Sequence, residues 1–145
     1  MLAIASGGGH WVQLLRLRPA FEEYDVVFVS MLESYAEQVG EARFHLVPDA
    51  SRFDIKGFAP VFTKALRIIL KERPVAIVTT GSAPMLAFIL LGRLFGIRTL
   101  WVDSIANSER MSSSGRMARK LAHQVVSQWP EVAEAEGVPH WGAVI

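Results

Sequence analysis

Six short apolar runs, at residues 2–5, 25–30, 44–47, 75–79, 99–102 and 124–127, are separated by stretches with helical periodicity. Strands that alternate with helices predict a parallel sheet. Most of the runs are apolar on both faces, as strands are when helices cover both sides, so the sequence predicts an α/β fold with a doubly wound, mostly parallel sheet. Helices are expected over residues 11–21, over a short segment capped by Ser34 with Glu37 and ending near Gly40, over 60–73 and over 84–95. Pro74 stops the third of these. A last strand-like piece is expected at 140–145.

At 145 residues the chain suits one domain, residues 1–145, long enough to bury roughly 68–70% of its unfolded surface. Fifteen basic residues against 14 acidic ones leave a net charge of +1, which gives no general argument for nucleic acid. There is no cysteine, so disulfides, cysteine zinc sites and thiol catalysis are excluded. The start lacks a signal-peptide pattern, and the longest apolar stretch, residues 83–91, falls short of the ~20 residues that a membrane span needs. An apolar content of 51% is nevertheless high, so part of it is expected to meet a partner or a membrane surface. The segment 84–95, apolar nearly all round, implies either burial against sheet and partner or lipid contact.

In an open parallel sheet, ligands bind outside the carboxyl ends of the strands, and three loops qualify. The first is Ser6-Gly7-Gly8-Gly9-His10, where a strand, a glycine turn and a helix start would present backbone N–H groups to phosphate or sugar oxygens beside a titratable ring. A plain tight turn is the bland account. A dinucleotide site is disfavoured: Val12 stands where the third glycine would be, and Ser30 rather than an acid ends the second strand. The second loop, Thr80-Gly81-Ser82, suits a polar ligand or simple N-capping by Ser82. The third is the densest, with Asp103, Ser104, Ser108, Arg110, Ser112 and Gly115. After it a helix would place Arg116, Arg119, Lys120 and His123 on one basic face, with Met117 and Leu121 turned to the core. That face is either a solvated one or a patch for a pyrophosphate or anionic headgroups. No P-loop, zincin or hydrolase motif is present, and His10, His45, His123 and His140 are too scattered to argue a metal site.

Four ordered motifs together carry a resemblance that covers nearly the whole chain: Ala5-Ser6-Gly7-Gly8-Gly9-His10, Thr79-Thr80-Gly81-Ser82, Asp103-Ser104 through Glu109-Arg110-Met111-Ser112-Ser113-Ser114-Gly115-Arg116, and Val126-Ser127-Gln128-Trp129-Pro130. The chain resembles the acceptor-side subunit of the split UDP-N-acetylglucosamine transferase of lipid-linked oligosaccharide synthesis and its bacterial polysaccharide-biosynthesis counterparts. The resemblance implies the Rossmann-like N-terminal half of a GT-B glycosyltransferase, an inverting enzyme cut in two. Its partners would be a donor-binding subunit that holds most of the UDP-sugar, and a polyprenyl-pyrophosphate-linked saccharide acceptor. Peripheral contact with the cytoplasmic face of the membrane is expected, with no nucleic acid, cofactor or metal. The stop at Ile145 fits a site completed by another polypeptide. His10 would be the base or orient the acceptor, and Ser6, Gly7, Gly8, Gly9, Gly81, Ser82, Asp103, Ser104, Ser108, Ser112 and Gly115 would line the acceptor site. Arg110 and Arg116 would be the phosphate partners. The alternative is a noncatalytic membrane-surface scaffold that recruits and activates a catalytic partner.

Overall fold

A computed structural model describes residues 1–50 and 55–144. Six strands, β1 (Leu2–Ile4), β2 (Val27–Ser30), β3 (Phe44–Leu46), β4 (Ala76–Thr79), β5 (Arg98–Val102) and β6 (Gln124–Val126), form one sheet. Their order is β3-β2-β1-β4-β5-β6, and every neighbouring pair is parallel. The order therefore reverses between β1 and β4, which opens a crevice at their carboxyl ends.

Side chains along β1 alternate between two cores, as the pleat of a strand requires. Leu2 and Ile4 join Ile77, Phe88 and Trp101 on one face, whereas Ala3 and Ala5 join Trp11, Leu14, Phe28 and Val78 on the other. The second core is closed by α1 (Gly9–Arg16) and a 3-10 turn, Arg18–Phe21. The first is closed by α2 (Ile55–Glu72), α3 (Leu86–Leu94) and α4 (Ser113–Ala118). A fifth helix, α5 (Pro130–Glu136), follows β6.

The apolar character of α3 is accounted for within this chain. Leu86, Phe88, Ile89 and Leu91 are all buried, each worth about 1.5–3 kcal/mol of transfer free energy, and the helix packs on α2, α4, β4 and β5. At its far end Leu94 and Phe95 stay exposed. Among the described residues no helix is long and apolar enough to cross a membrane.

Four local expectations change. The helix expected over 11–21 ends at Arg16 and gives way to the 3-10 turn that holds Pro19. The segment around Ser34 is a 3-10 helix, Glu33–Val39, preceded by Leu32 in extended conformation, and no side chain caps it. The helix expected over 60–73 starts a turn earlier, at Ile55, with Pro60 inside it. At the chain's end a single bridge joins Ser127 to His140, and residues 141–144 form no strand.

Candidate functional site

The loops after β1, β4 and β5 meet at the carboxyl edge of the sheet around a hollow of about 180 Å³. His10, Ser82, Ser104, Asn107, Ser112 and Ser114 line it.

The orientation of His10 is fixed by the neighbouring loop. Its Nδ1 lies 2.8 Å from the carbonyl oxygen of Thr80. A carbonyl only accepts, so Nδ1 carries hydrogen, and in the neutral ring the lone pair is on Nε2. Thr80 returns the contact, its Oγ1 donating to the carbonyl of His10 at 2.6 Å. Nε2 has no partner among the described residues. Gly81 is required beside this ring: its φ is +120°, and a Cβ there would sit 2.8 Å from Cε1 and Nδ1 of His10.

Ser82 does not cap the helix that follows. It has φ +87° and ψ 137°, and its side chain makes no capping bond. A non-glycine residue in that conformation costs on the order of 1–3 kcal/mol, a strain that clusters at ligand sites. Ser82 instead lines the hollow.

The glycine turn is more committed than its sequence implies. Gly8, at φ +58°, donates its N–H to the hydroxyl of Tyr35 at 2.9 Å. Tyr35 is itself stacked on Trp11, ring centroids 4.7 Å apart and 2° from parallel. Ser30 Oγ donates to the carbonyl of Ser6, and Gln13 Nε2 donates to that of Gly9.

Asp103 organises the third loop from inside. It is 2% exposed, and its Oδ1 accepts from Trp101 Nε1 and Ser112 Oγ, while Oδ2 accepts from Asn107 Nδ2 and the Ser112 N–H. Four donors fill the acceptor positions of a carboxylate, so nothing of it faces a ligand. Ser112 also caps α4 by accepting from the Gly115 N–H. Gly115 leaves the room this needs, since a Cβ on it would lie 2.5 Å from Oδ1 of Asp103.

The basic residues part company. Arg116 is paired with Glu136 of α5, Nη2 to Oε1 at 2.6 Å, with Arg119 on the second oxygen at 3.6 Å. The hydrogen bond from Arg116 holds the Glu136 carboxyl below its ordinary range and raises the guanidinium in turn. Because α4 ends at Ala118, His123 lies outside the helix, bonded to Thr99, and Met117 points outward rather than to the core. Arg110 and Ser108 are exposed on the loop and free of side-chain partners among the described residues.

Two glutamines to which the sequence assigns no role, Gln13 and the Gln128 of the last motif, tie these loops together. Gln13 and Gln128 are 4% and 3% exposed. Gln13 Nε2 donates to Ser104 Oγ as well as to Gly9, and its Oε1 accepts from the Ile105 N–H and from Gln128 Nε2. The available signal was a polar residue on the face of α1 that also carries Leu14.

No protein-family model matches the chain. The UDP-N-acetylglucosamine transferase subunit ALG14 of Eremothecium gossypii is 28% identical over 127 residues, which span 83% of this chain and 55% of that protein. ALG14 of Cryptococcus neoformans is 33% identical over 61 residues, 42% of this chain and 27% of its own length. The chain thus spans about half, or less, of the relatives it matches. Among solved structures, MurG of Acinetobacter baumannii superposes with a TM-score of 0.74 at 14% identity, covering 97% of this chain and 43% of MurG. The UDP-N-acetylglucosamine 2-epimerase of Rickettsia bellii gives 0.72, again at 14% identity, covering 99% and 44%. By sequence the chain is similar to the ALG14 subunit of UDP-N-acetylglucosamine transferase, and its fold is the Rossmann-like one shared with MurG and the UDP-N-acetylglucosamine 2-epimerase.

Proposed function

We propose that this chain is the acceptor-binding half of a two-component inverting glycosyltransferase. It transfers a sugar from a UDP-sugar, held mainly by a donor-binding partner, to a polyprenyl-pyrophosphate-linked saccharide. The observation that carries this reading is the unpartnered Nε2 of His10, held by Thr80 and Gly81 over a hollow at the switch point of the sheet. A base so placed removes the proton of the attacking hydroxyl as the new glycosidic bond forms and the bond from the sugar to UDP breaks, UDP leaving on the partner's side. A hollow of about 180 Å³ is less than the roughly 300–1,000 Å³ of a complete small-molecule site, as one wall of a two-walled cleft would be.

Arg110, on the free loop, is the phosphate partner in this reading, and Arg116 serves the α4–α5 contact instead. Peripheral contact with the inner face of the membrane is supported by exposed Met117 beside exposed Lys120. The scaffold alternative loses its main support, because α3 is buried in this chain's own core.

The test is transfer of radiolabelled N-acetylglucosamine from its UDP donor to a short-chain polyprenyl diphosphate saccharide, assayed with the donor-binding partner present. His10→Ala is expected to lower turnover about 10²- to 10⁴-fold while the complex stays intact on a sizing column. Undiminished transfer by that variant would remove His10 from the chemistry.

A further inference from the structure

Ser104 is a hydroxyl of the hollow whose lone pairs the rest of the protein occupies while leaving its hydrogen unused among the described residues. It is 7% exposed, and its Oγ accepts from Gln13 Nε2 at 3.1 Å and from the Ala106 N–H at 3.3 Å. A serine hydroxyl has two acceptor lone pairs and one hydrogen. Both lone pairs are taken, and the hydrogen has no acceptor among the described residues.

The direction of these bonds is not a matter of choosing an amide orientation. Gln13 stands between a backbone acceptor, the Gly9 carbonyl, and a backbone donor, the Ile105 N–H, so its nitrogen must face the first and its oxygen the second. Gln128 is fixed in the same way, between the Asp103 carbonyl on its Nε2 and the Val144 N–H on its Oε1. The relay runs one way, from Val144 through Gln128 and Gln13 to Ser104.

We propose that Gln13, backed by Gln128, is a positioning residue that fixes Ser104 as a donor into the cleft, and that Ser104 and His10 Nε2 together select a ligand hydroxyl. A donor and an acceptor lining one hollow match a group that both accepts and donates. An alcohol does so; a phosphate oxygen does not, since it offers no hydrogen to Nε2. This rests on the acceptor reading above and refines it: a sugar hydroxyl occupies the corner between His10 and Ser104, and the diphosphate lies elsewhere. The buried amides supply what solvent would otherwise leave undetermined, a single polarity for a rotatable hydroxyl.

The experiment is calorimetric titration of the chain in complex with its donor-binding partner, using farnesyl diphosphate-linked N-acetylglucosamine and its 3-, 4- and 6-deoxy analogues. For the wild type, deletion of one particular hydroxyl is expected to weaken binding about tenfold and the other deletions to matter little. In Ser104→Ala the penalty for that same deletion falls to about threefold, because the contact to His10 alone is then lost. Gln13→Glu gives the same reduced penalty although Ser104 remains, since a carboxylate takes the serine hydrogen for itself; a merely structural glutamine would not move this ratio. Near-ultraviolet circular dichroism checks that both variants are folded. A wild type that ignores every deletion, or a penalty unchanged in both variants, overturns the inference and leaves the acceptor reading standing. Failure of the parent compound to bind overturns the acceptor reading and the inference with it.

Discussion

The corner at His10 and the loop after β5 stand at the same edge of the sheet and are both rich in polar side chains, yet they dispose of them in opposite ways. In the loop, Asp103 accepts four hydrogen bonds from Trp101, Asn107 and Ser112, and Ser112 passes the chain on to Gly115. The polarity of Asp103, Asn107 and Ser112 is consumed in holding the loop and capping α4, while Ser104 of the same loop lines the corner. In the corner, His10 Nε2, the Ser82 hydroxyl and the hydrogen of Ser104 are left without internal partners among the described residues. Availability, which separates architecture from chemistry, is decided by counting lone pairs and hydrogens rather than by counting polar residues.

Three substitutions put pressure on this contrast. The largest effect is expected for Asp103→Ala, where four donors lose their acceptor in a site closed to water; urea denaturation should show a loss of about 4 kcal/mol. Near-native stability combined with abolished transfer would instead move the loop into the chemistry. Gly81→Ala presses a methyl group on the His10 ring and is expected to lower transfer about 100-fold, with a smaller stability loss than Asp103→Ala. If turnover held, the ring's position would not matter.

The smallest effect belongs to Arg116→Ala. The arginine depresses the Glu136 carboxyl, so the pair's contribution is present above the ordinary carboxylate range and is lost as pH falls through the lowered one. A modest drop in urea midpoint at neutral pH that fades in acid below the ordinary carboxylate range, without loss of turnover, is the expected pattern. A large loss of turnover would return Arg116 to the phosphate site.

All six strands were legible because each is a short run between helical stretches and most are apolar on both faces, and the loops that follow β1, β4 and β5 were legible from strand position alone. What escaped depended on partners distant in sequence. Glu136 engages Arg116 and Arg119 of a face that looks basic over residues 116–123, and it does so from α5, 20 residues from Arg116. Gln13 reaches Ser104 across 91 residues and Gln128 across 115, and no local pattern announces such a bond. The capping box at Ser34 failed for a local reason: the extended Leu32 opens a 3-10 helix whose start no side chain caps.

The reversal of strand order has a kinetic side. β1 is flanked by β2 and by β4, and Leu2 lies opposite Ile77, so the central strand waits for a segment that emerges half a chain later. Parallel pairings at such separation are entropically expensive to close and slow to form. Thr80 reaches His10 only across that closure, so the corner cannot form before β1 and β4 have come together.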